Sequence, residues 1–288
     1  MNKYLIRSVK GSLTVIVVFI AIFFSSNLFA ANPENNKLSA DEIIKRSENI
    51  YPGRDQKSKL TFLIKEPNGD QRKMVLYRFW LSGYNKGNGD IISKTMIFNE
   101  YPPESRGTSF MVWSYNPKIG REDEQWIYLP ILRKVNKIPG REDKSFQGSD
   151  VNTVDMIPRP VDLDTHKLIG EDTIGDKKYY IIESIPRSQE TNYNYGKVIK
   201  RISKDQFLKE MIEYYNTEGK LVKQQTIKWK KLKDAWVFEK VVIKNLETSV
   251  DTILNISDIE IDIGLNDKVF TERTLRLGLN SLNKMLTR

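Results

Sequence analysis

The residue types that carry most enzymatic and metal chemistry are nearly absent from this chain. It has one histidine, His166, and no cysteine. A histidine-based metal site or a Ser-His-Asp triad would have to depend on that single residue. The sequence also has no Gly-x-Ser-x-Gly, Walker or His-Glu-x-x-His motif. We therefore interpret His166 as a surface or turn residue.

Paired carboxylates are the remaining candidates for acid–base chemistry. A glycosidase needs two of them across an apolar cleft, whereas those found here fall in two polar, loop-like stretches and are interpreted as solvated. No catalytic residue, cofactor or metal is therefore predicted. An enzyme remains an alternative, which loss of a hydrolytic activity in His166→Ala would support. The acidic candidates are Glu122, Asp123, Glu142, Asp143, Asp150 and Asp155.

The first thirty residues have the three parts of a secretory signal peptide. Lys3, Arg7 and Lys10 form a positive start, residues 13–24 are apolar apart from one threonine, and small residues precede Ala31. We predict cleavage after Ala30, which leaves residues 31–288 as one exported domain. An uncleaved membrane anchor is the alternative, because the apolar run approaches the length of about 20 residues that a span needs.

Charge and cysteine content limit the possible partners. The formal net charge is +9 and falls to +6 without the three basic residues of the signal segment. The basic residues are spread along the chain, so nucleic-acid binding is not expected. An anionic membrane face or lipid headgroup fits the bias better. Without disulfides, an exported domain of this size depends on its apolar core.

Two kinds of element position these residues. The segment 39–51 predicts a helix capped by Ser39, with Ile43 and Ile44 on its apolar side. Beyond Pro52-Gly53 the apolar period becomes two, and Pro67–Asp70 carries the Asn-Gly signal of a hairpin turn. Further short strands follow with a long irregular stretch over 139–164, and the segment 267–279 is a second helix candidate.

This pattern predicts a mainly β fold. Many short strands at even spacing, without alternating helices, are typical of a sandwich or barrel. Several strands are apolar on both faces: in the segment 74–81, Met74, Leu76 and Trp80 alternate with apolar residues of the opposite side.

Such strands need cover on both sides. Helices or a second sheet could provide it, or a partly open barrel could bind an apolar ligand inside. In the second case the candidate cavity residues are Leu60, Phe62, Ile64, Met74, Leu76, Trp80, Met96, Phe98, Met111, Trp113, Trp126 and Tyr128.

The stretch QWIYLPILRKVNKI at 125–138 combines aromatic and basic residues. Pro130 suits an edge strand or a strand end, since it offers no backbone donor. The segments 124–130 and 132–138 predict a pair of strands. We expect this strand pair near the mouth of the cavity, where Arg133 and Lys134 would contact an anionic headgroup or a partner. The alternative is that Trp126 and Tyr128 are core residues and the basic pair is merely solvated.

This stretch and the one after it resemble the outer-membrane lipoprotein-sorting protein family, which is related to the LolA and LolB carriers. The likeness extends over nearly all of residues 31–288. The matching residues are Trp126, Tyr128, Pro130, Arg133, Lys134 and Val135, followed by Ser145, Phe146, Gly148, Ser149 and Asp150.

The resemblance implies a curved, incompletely closed antiparallel β-barrel of about eleven to thirteen strands. An N-terminal helix and short helices would lid its mouth, and its apolar inside would take acyl chains. It also implies a monomeric periplasmic carrier of lipid or lipoprotein, working with an inner-membrane transporter and an outer-membrane acceptor. A periplasmic lipid sensor or envelope-stress regulator is the alternative function.

Overall fold

Thirteen antiparallel strands form one sheet that makes up most of the chain. The computed structural model describes residues 37–83, 90–116, 119–138, 149, 151, 159–188 and 193–286. The strands are β1 (Asp55–Lys65), β2 (Gln71–Ser82), β3 (Ile91–Tyr101), β4 (Ser109–Tyr115), β5 (Glu124–Leu129), β6 (Lys134–Ile138), β7 (Asp164–Ile174), β8 (Lys177–Pro186), β9 (Tyr195–Ser203), β10 (Lys209–Asn216), β11 (Leu221–Leu232), β12 (Ala235–Asn245) and β13 (Asp251–Ile261).

The strand order is β6-β5-β4-β3-β2-β1-β13-β12-β11-β10-β9-β8-β7. Every neighbouring pair except β1–β13 is consecutive in sequence, so two meanders meet at the centre of the sheet. Strands β6 and β7 are its two edges, and the sheet is not closed. The predicted fold class, a curved and incompletely closed antiparallel β-barrel, is confirmed.

Contacts divide the chain into two units, Met1–Lys37 and Leu38–Arg288, and the second unit contains all thirteen strands. The predicted signal segment 1–30 and its cleavage site lie outside the described residues. So do the motif residues Ser145, Phe146, Gly148 and Asp150. Among the residues that are described, no helix is both long and apolar enough to span a bilayer.

The two faces of the sheet bury different apolar clusters. We call the face that carries Phe62 the inner face and the opposite one the outer face. The inner-face cluster unites residues from β1 to β3 and from β9 to β13, together with Val151 from the connection between β6 and β7. This connection joins the two edge strands, and its residue Val151 is buried in the inner-face cluster.

The first helix, α1 (Ala40–Glu48), begins as predicted. The hydroxyl of Ser39 accepts a hydrogen bond from the backbone N–H of Glu42 at 3.2 Å, which caps the first turn. Its buried residues Ile43 and Ile44 pack against Ile182 of β8 and Ile202 of β9. Register places both partners on the inner face, so α1 covers the inner face near the β7 edge.

The second helix, α2 (Glu272–Leu286), covers the outer face at the other end of the sheet. It is longer than predicted and is interrupted at Gly278, whose φ of 78° is the left-handed conformation that glycine adopts easily. Leu275 and Leu282 are fully buried against strands β2 to β6. The two helices thus lie on opposite faces, and only α1 stands on the side where a lid would be.

Local signals explain the turns that set the register of β1 and β2. The predicted Pro67–Asp70 hairpin turn is present: the N–H of Glu66 donates to the carbonyl of Asp70 at 2.9 Å. Gly69 has a φ of 90°, as the Asn-Gly signal requires. The predicted strand from Leu132 begins two residues later, at Lys134, because Ile131 to Arg133 form the turn after β5.

A single carboxylate, that of Asp55, fixes the segment leading from β13 to α2. Its Oδ1 accepts from the N–H of Ile263 at 2.8 Å, and its Oδ2 accepts from those of Gly264 and Leu265 at 3.1 Å each. Asp55 is buried, so these charge-assisted bonds replace its hydration. Docking of α2 on the outer face therefore depends on this residue.

We expect Asp55→Asn to lower the free energy of unfolding by about 2–4 kcal/mol, because an amide cannot accept all three bonds and leaves buried donors unpaired. Urea denaturation measures the change. Asp234→Asn, in an exposed turn, is the control and should change stability by less than about 0.5 kcal/mol. Equal effects of the two substitutions would contradict this role of Asp55.

Candidate functional site

The structure does not bring the twelve candidate cavity residues together. Leu60 lies opposite Leu76, and Phe62 opposite Met74, so these residues share the inner face with Ile64 and Trp80. The other six lie on the outer face, where Met96, Met111 and Trp126 are successive neighbours across β3, β4 and β5. The outer-face residues are Met96, Phe98, Met111, Trp113, Trp126 and Tyr128.

These six outer-face residues form the apolar surface against which α2 packs. They pack with Phe270, Leu275 and Leu282 of the C-terminal segment. Trp113 and Trp126 meet edge to face with ring centroids 5.2 Å apart. The hydroxyl of Ser109 donates to the carbonyl of Leu275 at 2.9 Å. These contacts match the core interpretation of Trp126 and Tyr128 better than the cavity interpretation.

The inner-face residues near β1 form a closed floor. Leu60, Phe62, Ile64 and Leu76 are at most 3% exposed. Side chains this closely surrounded leave no room for a ligand beside them. A binding surface on this face must therefore lie where apolar side chains keep some accessible area.

Such a surface exists on the inner face of β4 and β5. Phe110 and Val112 of β4 and Ile127 and Leu129 of β5 alternate with the outer-face residues and are all half-buried. We call these four residues the inner apolar row. They continue the face of Ile97, which lies opposite Phe110 in β4. Sequence alternation indicated that one face of β5 could meet a ligand, but not which one.

A polar cluster lies beneath α1 at the other end of the inner face. His166 Nε2 donates to the carbonyl of Val161 at 2.9 Å, which leaves Nδ1 to accept from the hydroxyl of Ser184 at 2.8 Å. Ser184 Oγ in turn accepts from Lys200 Nζ at 3.2 Å. The Ser–His pair connects β7 to β8, and the hydroxyl of Ser184 has no exposed surface in this conformation.

Electrostatics agree with a neutral His166. Burial, and next the positive charge of Lys200, lower the pKa of His166. Burial also lowers the pKa of Lys200 to about 8, and the neighbouring charge of Lys209 adds to that effect. The pair between Lys209 Nζ and Glu48 at 2.7 Å connects β10 to α1. Among the residues the structure covers, no group of three histidine or acidic side chains could hold a metal ion.

The tip of the β5–β6 hairpin is the most exposed apolar surface in the described chain. Ile131 is 91% and Leu132 60% exposed. The backbone there is tight: the N–H of Arg133 donates to the carbonyl of Pro130 at 3.1 Å, and Arg133 has a φ of 48°. Arg133 and Lys134 are exposed beside the two apolar residues. We call Ile131 to Lys134 the hairpin tip.

Three solved structures share this architecture. A DUF1329 family protein from Desulfovibrio piger superposes with a TM-score of 0.73 at 23% identity, covering 82% of this chain and 97% of that one. An outer membrane lipoprotein-sorting protein domain from Vibrio parahaemolyticus gives 0.71 at 24% identity, covering 82% and 98%. A LolA superfamily protein from Nitrosomonas europaea gives 0.58 at 18% identity, covering 82% and 99%.

These likenesses define the fold as LolA-like. A family model whose description is "Uncharacterized protein" matches residues 92–277, which is more than half of the chain, so the chain belongs to that family. The resemblance drawn from the sequence motifs is confirmed at that level. No curated protein matches the chain.

We expect Lys200→Met to stabilise the protein by about 1–3 kcal/mol at pH 7, because a partly compensated buried charge is replaced by an apolar chain of similar length. The pKa of Lys200 is lowered in the folded state, so its cost is full below pH 8 and fades as pH rises towards 10.5. The gain should therefore shrink over that range. Paired denaturation curves at pH 7 and pH 10 measure it.

Lys178→Met, at an exposed position of β8, is the matched control and should leave stability nearly unchanged at both pH values. A loss of stability in Lys200→Met at pH 7 would contradict a net cost of the buried ammonium. It would show that the bond to Ser184 outweighs desolvation.

Proposed function

We propose that this protein is a periplasmic carrier that binds the acyl chain of a lipid or lipoprotein on the inner face of its half-barrel and moves it between membranes. The observation that carries this proposal is the inner apolar row, a half-buried apolar surface on the concave side of a LolA-like sheet. The relatives' names support the same class, since one is a lipoprotein-sorting domain and another a LolA superfamily protein.

Magnitudes favour such a surface for carriage. Burial of a methylene is worth about 0.8 kcal/mol, so a chain of about fourteen gains roughly 11 kcal/mol on leaving water. A carrier has to replace most of that burial without exceeding what the acceptor membrane offers. Residues that keep some accessible area, such as Phe110 and Ile127, can take up a chain without opening the tightly packed floor.

The hairpin tip is proposed as the part that meets a membrane. Burying Ile131 and Leu132 in a bilayer surface would contribute about 3–6 kcal/mol. Arg133 and Lys134 would add about 1 kcal/mol each on an anionic surface. An attachment of this size is reversible, as a shuttling carrier requires.

The remaining parts of the proposal concern location and partners. Residues 1–30 direct export and are removed after Ala30, which leaves a monomeric domain of residues 31–288 in the periplasm. An inner-membrane transporter would supply the cargo and an outer-membrane acceptor would receive it. The basic hairpin tip would contact either the bilayer or an acidic surface of these partners.

We predict that the protein purified from bacterial envelopes carries stoichiometric lipid, detected by mass spectrometry, and takes up a fluorescent fatty acid. Ile127→Glu should weaken that uptake at least ten-fold, because a carboxylate in the inner apolar row opposes burial of the chain. Ile174→Glu, at a 43% exposed position of β7, is the control and should bind normally. No bound lipid and no uptake would rule out the carrier.

We predict that two variants of the hairpin tip separate its apolar and basic contributions. Ile131→Ser with Leu132→Ser should reduce binding to anionic vesicles at every salt concentration. Arg133→Glu with Lys134→Glu should reduce vesicle binding and cargo transfer most strongly at low salt, where charges act over a longer range. Both pairs should leave the melting temperature unchanged, since exposed groups contribute little to stability. Vesicle sedimentation and transfer rates equal to wild type would show that the tip does not contact membranes.

A further inference from the structure

Arg78 carries a positive charge on the inner face and has no counter-ion among the described residues. It lies in β2, directly opposite Ser58 of β1 and Ile97 of β3. Within the described part of the chain, its guanidinium has no hydrogen bond or ion pair. It makes a cation–π contact with the ring of Trp80, whose centroid lies 6.0 Å from Cζ of Arg78. Two other half-buried arginines are paired: Arg159 with Asp164 at 2.8 Å and Arg201 with Asp172 at 3.4 Å.

The hydroxyl of Ser58 is the second unpaired group at this place. Ser58 is 1% exposed, and its Oγ has no hydrogen-bond partner among the described residues. Directly opposed residues of antiparallel strands have Cβ atoms about 4.5–5.5 Å apart, so the hydroxyl and the base of the Arg78 side chain are neighbours. A buried hydroxyl without a partner costs about 1–3 kcal/mol. Two adjacent unpaired polar groups inside an apolar face call for an explanation.

The side chain of Arg78 is largely but not completely buried. Burial lowers the pKa of Arg78 to about 10, so the side chain remains charged at neutral pH. Arg78 and Trp80 nevertheless keep part of their surface accessible. Arg78 is therefore close to protein atoms on most sides and still accessible to a ligand. The directly opposed and diagonal neighbours include Gln56, Thr95 and Asn99, none of which carries a charge.

Register connects this position to the inner apolar row. Arg78 is opposite Ile97, Ile97 is opposite Phe110, and Phe110 is opposite Ile127. Neighbouring strands are about 4.8 Å apart, so these three steps extend roughly 14 Å from the β2 backbone at Arg78 to the β5 backbone at Ile127, across apolar side chains. A charged group followed by an apolar path of this length matches an amphiphile with an acidic head and a hydrocarbon tail.

We propose that Arg78, with Ser58 beside it, binds the oxyanion of an acyl lipid, with the chain along the half-buried Phe110 and Ile127. Arg78 supplies the charge and the paired N–H donors that match a carboxylate or phosphate, and Ser58 supplies one more donor. The inference rests on the proposed carrier function and narrows its ligand to an anionic amphiphile. A fatty acid and a lipid phosphate share this head chemistry.

The test compares ligands that differ only in the head. Binding constants are measured by displacement of a neutral fluorescent lipid for palmitic acid, palmitoyl lysophosphatidic acid and hexadecanol, with acetate and inorganic phosphate as chain-free probes. We expect the wild-type protein to bind at least one acidic lipid about ten- to hundred-fold more tightly than hexadecanol. The lipid with the larger preference identifies the head as carboxylate or phosphate.

Variants of Arg78 then assign the preference. Arg78→Met should abolish it and leave hexadecanol binding unchanged, and Ser58→Ala should reduce it several-fold. Arg78→Lys keeps the charge but lacks the planar donor pair, so this variant should retain part of the preference for the acidic lipid. Arg72→Met, on the same face of β2 but exposed and paired with Glu66 at 2.8 Å, is the control and should bind like wild type. Without ligand, Arg78→Met should melt at or above the wild-type temperature, because it removes an unpaired charge.

Five outcomes would overturn the inference. One is that Arg78→Met keeps the wild-type preference for acidic lipids over hexadecanol, and another is that the wild-type protein shows no such preference. Either result would contradict a headgroup site at Arg78 and leave the proposed carrier function unaffected. Chain-free acetate or phosphate bound as tightly as the acidic lipids would make the site one for small anions. If no lipid binds to wild type, the carrier function fails together with the inference. Marked destabilisation of both Arg78→Met and Arg78→Lys would assign Arg78 a structural role instead.

Discussion

A single open sheet has no second layer to bury its two apolar faces, and this constraint shapes the rest of the molecule. Strands such as β2 carry apolar residues on both sides, with Leu76 and Phe79 both fully buried. Each face therefore needs its own cover. The outer face at β2 to β6 is covered by α2, whereas the inner face is covered by α1 and by the curvature that unites its strands in one cluster. The inner apolar row is one part of the inner face that no described element fully covers.

The two helices are held by different interactions. The anchor of α2 is the Asp55 carboxylate with its three backbone donors, and α2 packs through a continuous apolar bed. The region under α1 is more polar, with Lys200, His166 and the Glu48–Lys209 pair around it. Helix α2 is therefore held through both apolar and polar contacts. Helix α1 lies over a more polar part of the inner face, to which the Glu48–Lys209 pair connects it.

Polar groups left unpaired inside the sheet indicate where stability has been given up. Ser58 and Arg78 would be more cheaply replaced by apolar residues if the inner face were only a core. Residues that break the usual rules of core packing and hydrogen bonding are commonly functional. The same reasoning applies to Ile131 and Leu132, whose exposure costs solubility and gives the domain nothing in folding.

The residue pattern was sufficient to predict a mainly β fold, because alternation, turn residues and the cap at Ser39 are local signals. The incompletely closed barrel was implied by the family resemblance. It was not sufficient to sort Met74 from Met96. Their faces depend on the register between strands and on irregularities such as the one between Val75 and Leu76, which leave no mark in the pattern. Arg78 was not predicted as a site residue, although strand alternation places it on the same face of β2 as Leu76 and Trp80. The hairpin tip was predicted to start a strand, since Leu132 continues the apolar pattern into a turn.

The most direct measurement of the central claim is a crystal structure of the protein with a fatty acid brominated near its tail, in which anomalous scattering locates the bromine. A chain on the inner face would place the bromine beside Phe110 or Ile127, with the head towards Arg78. A bromine beneath α2 on the outer face, or no bound chain at saturating ligand, would contradict the account.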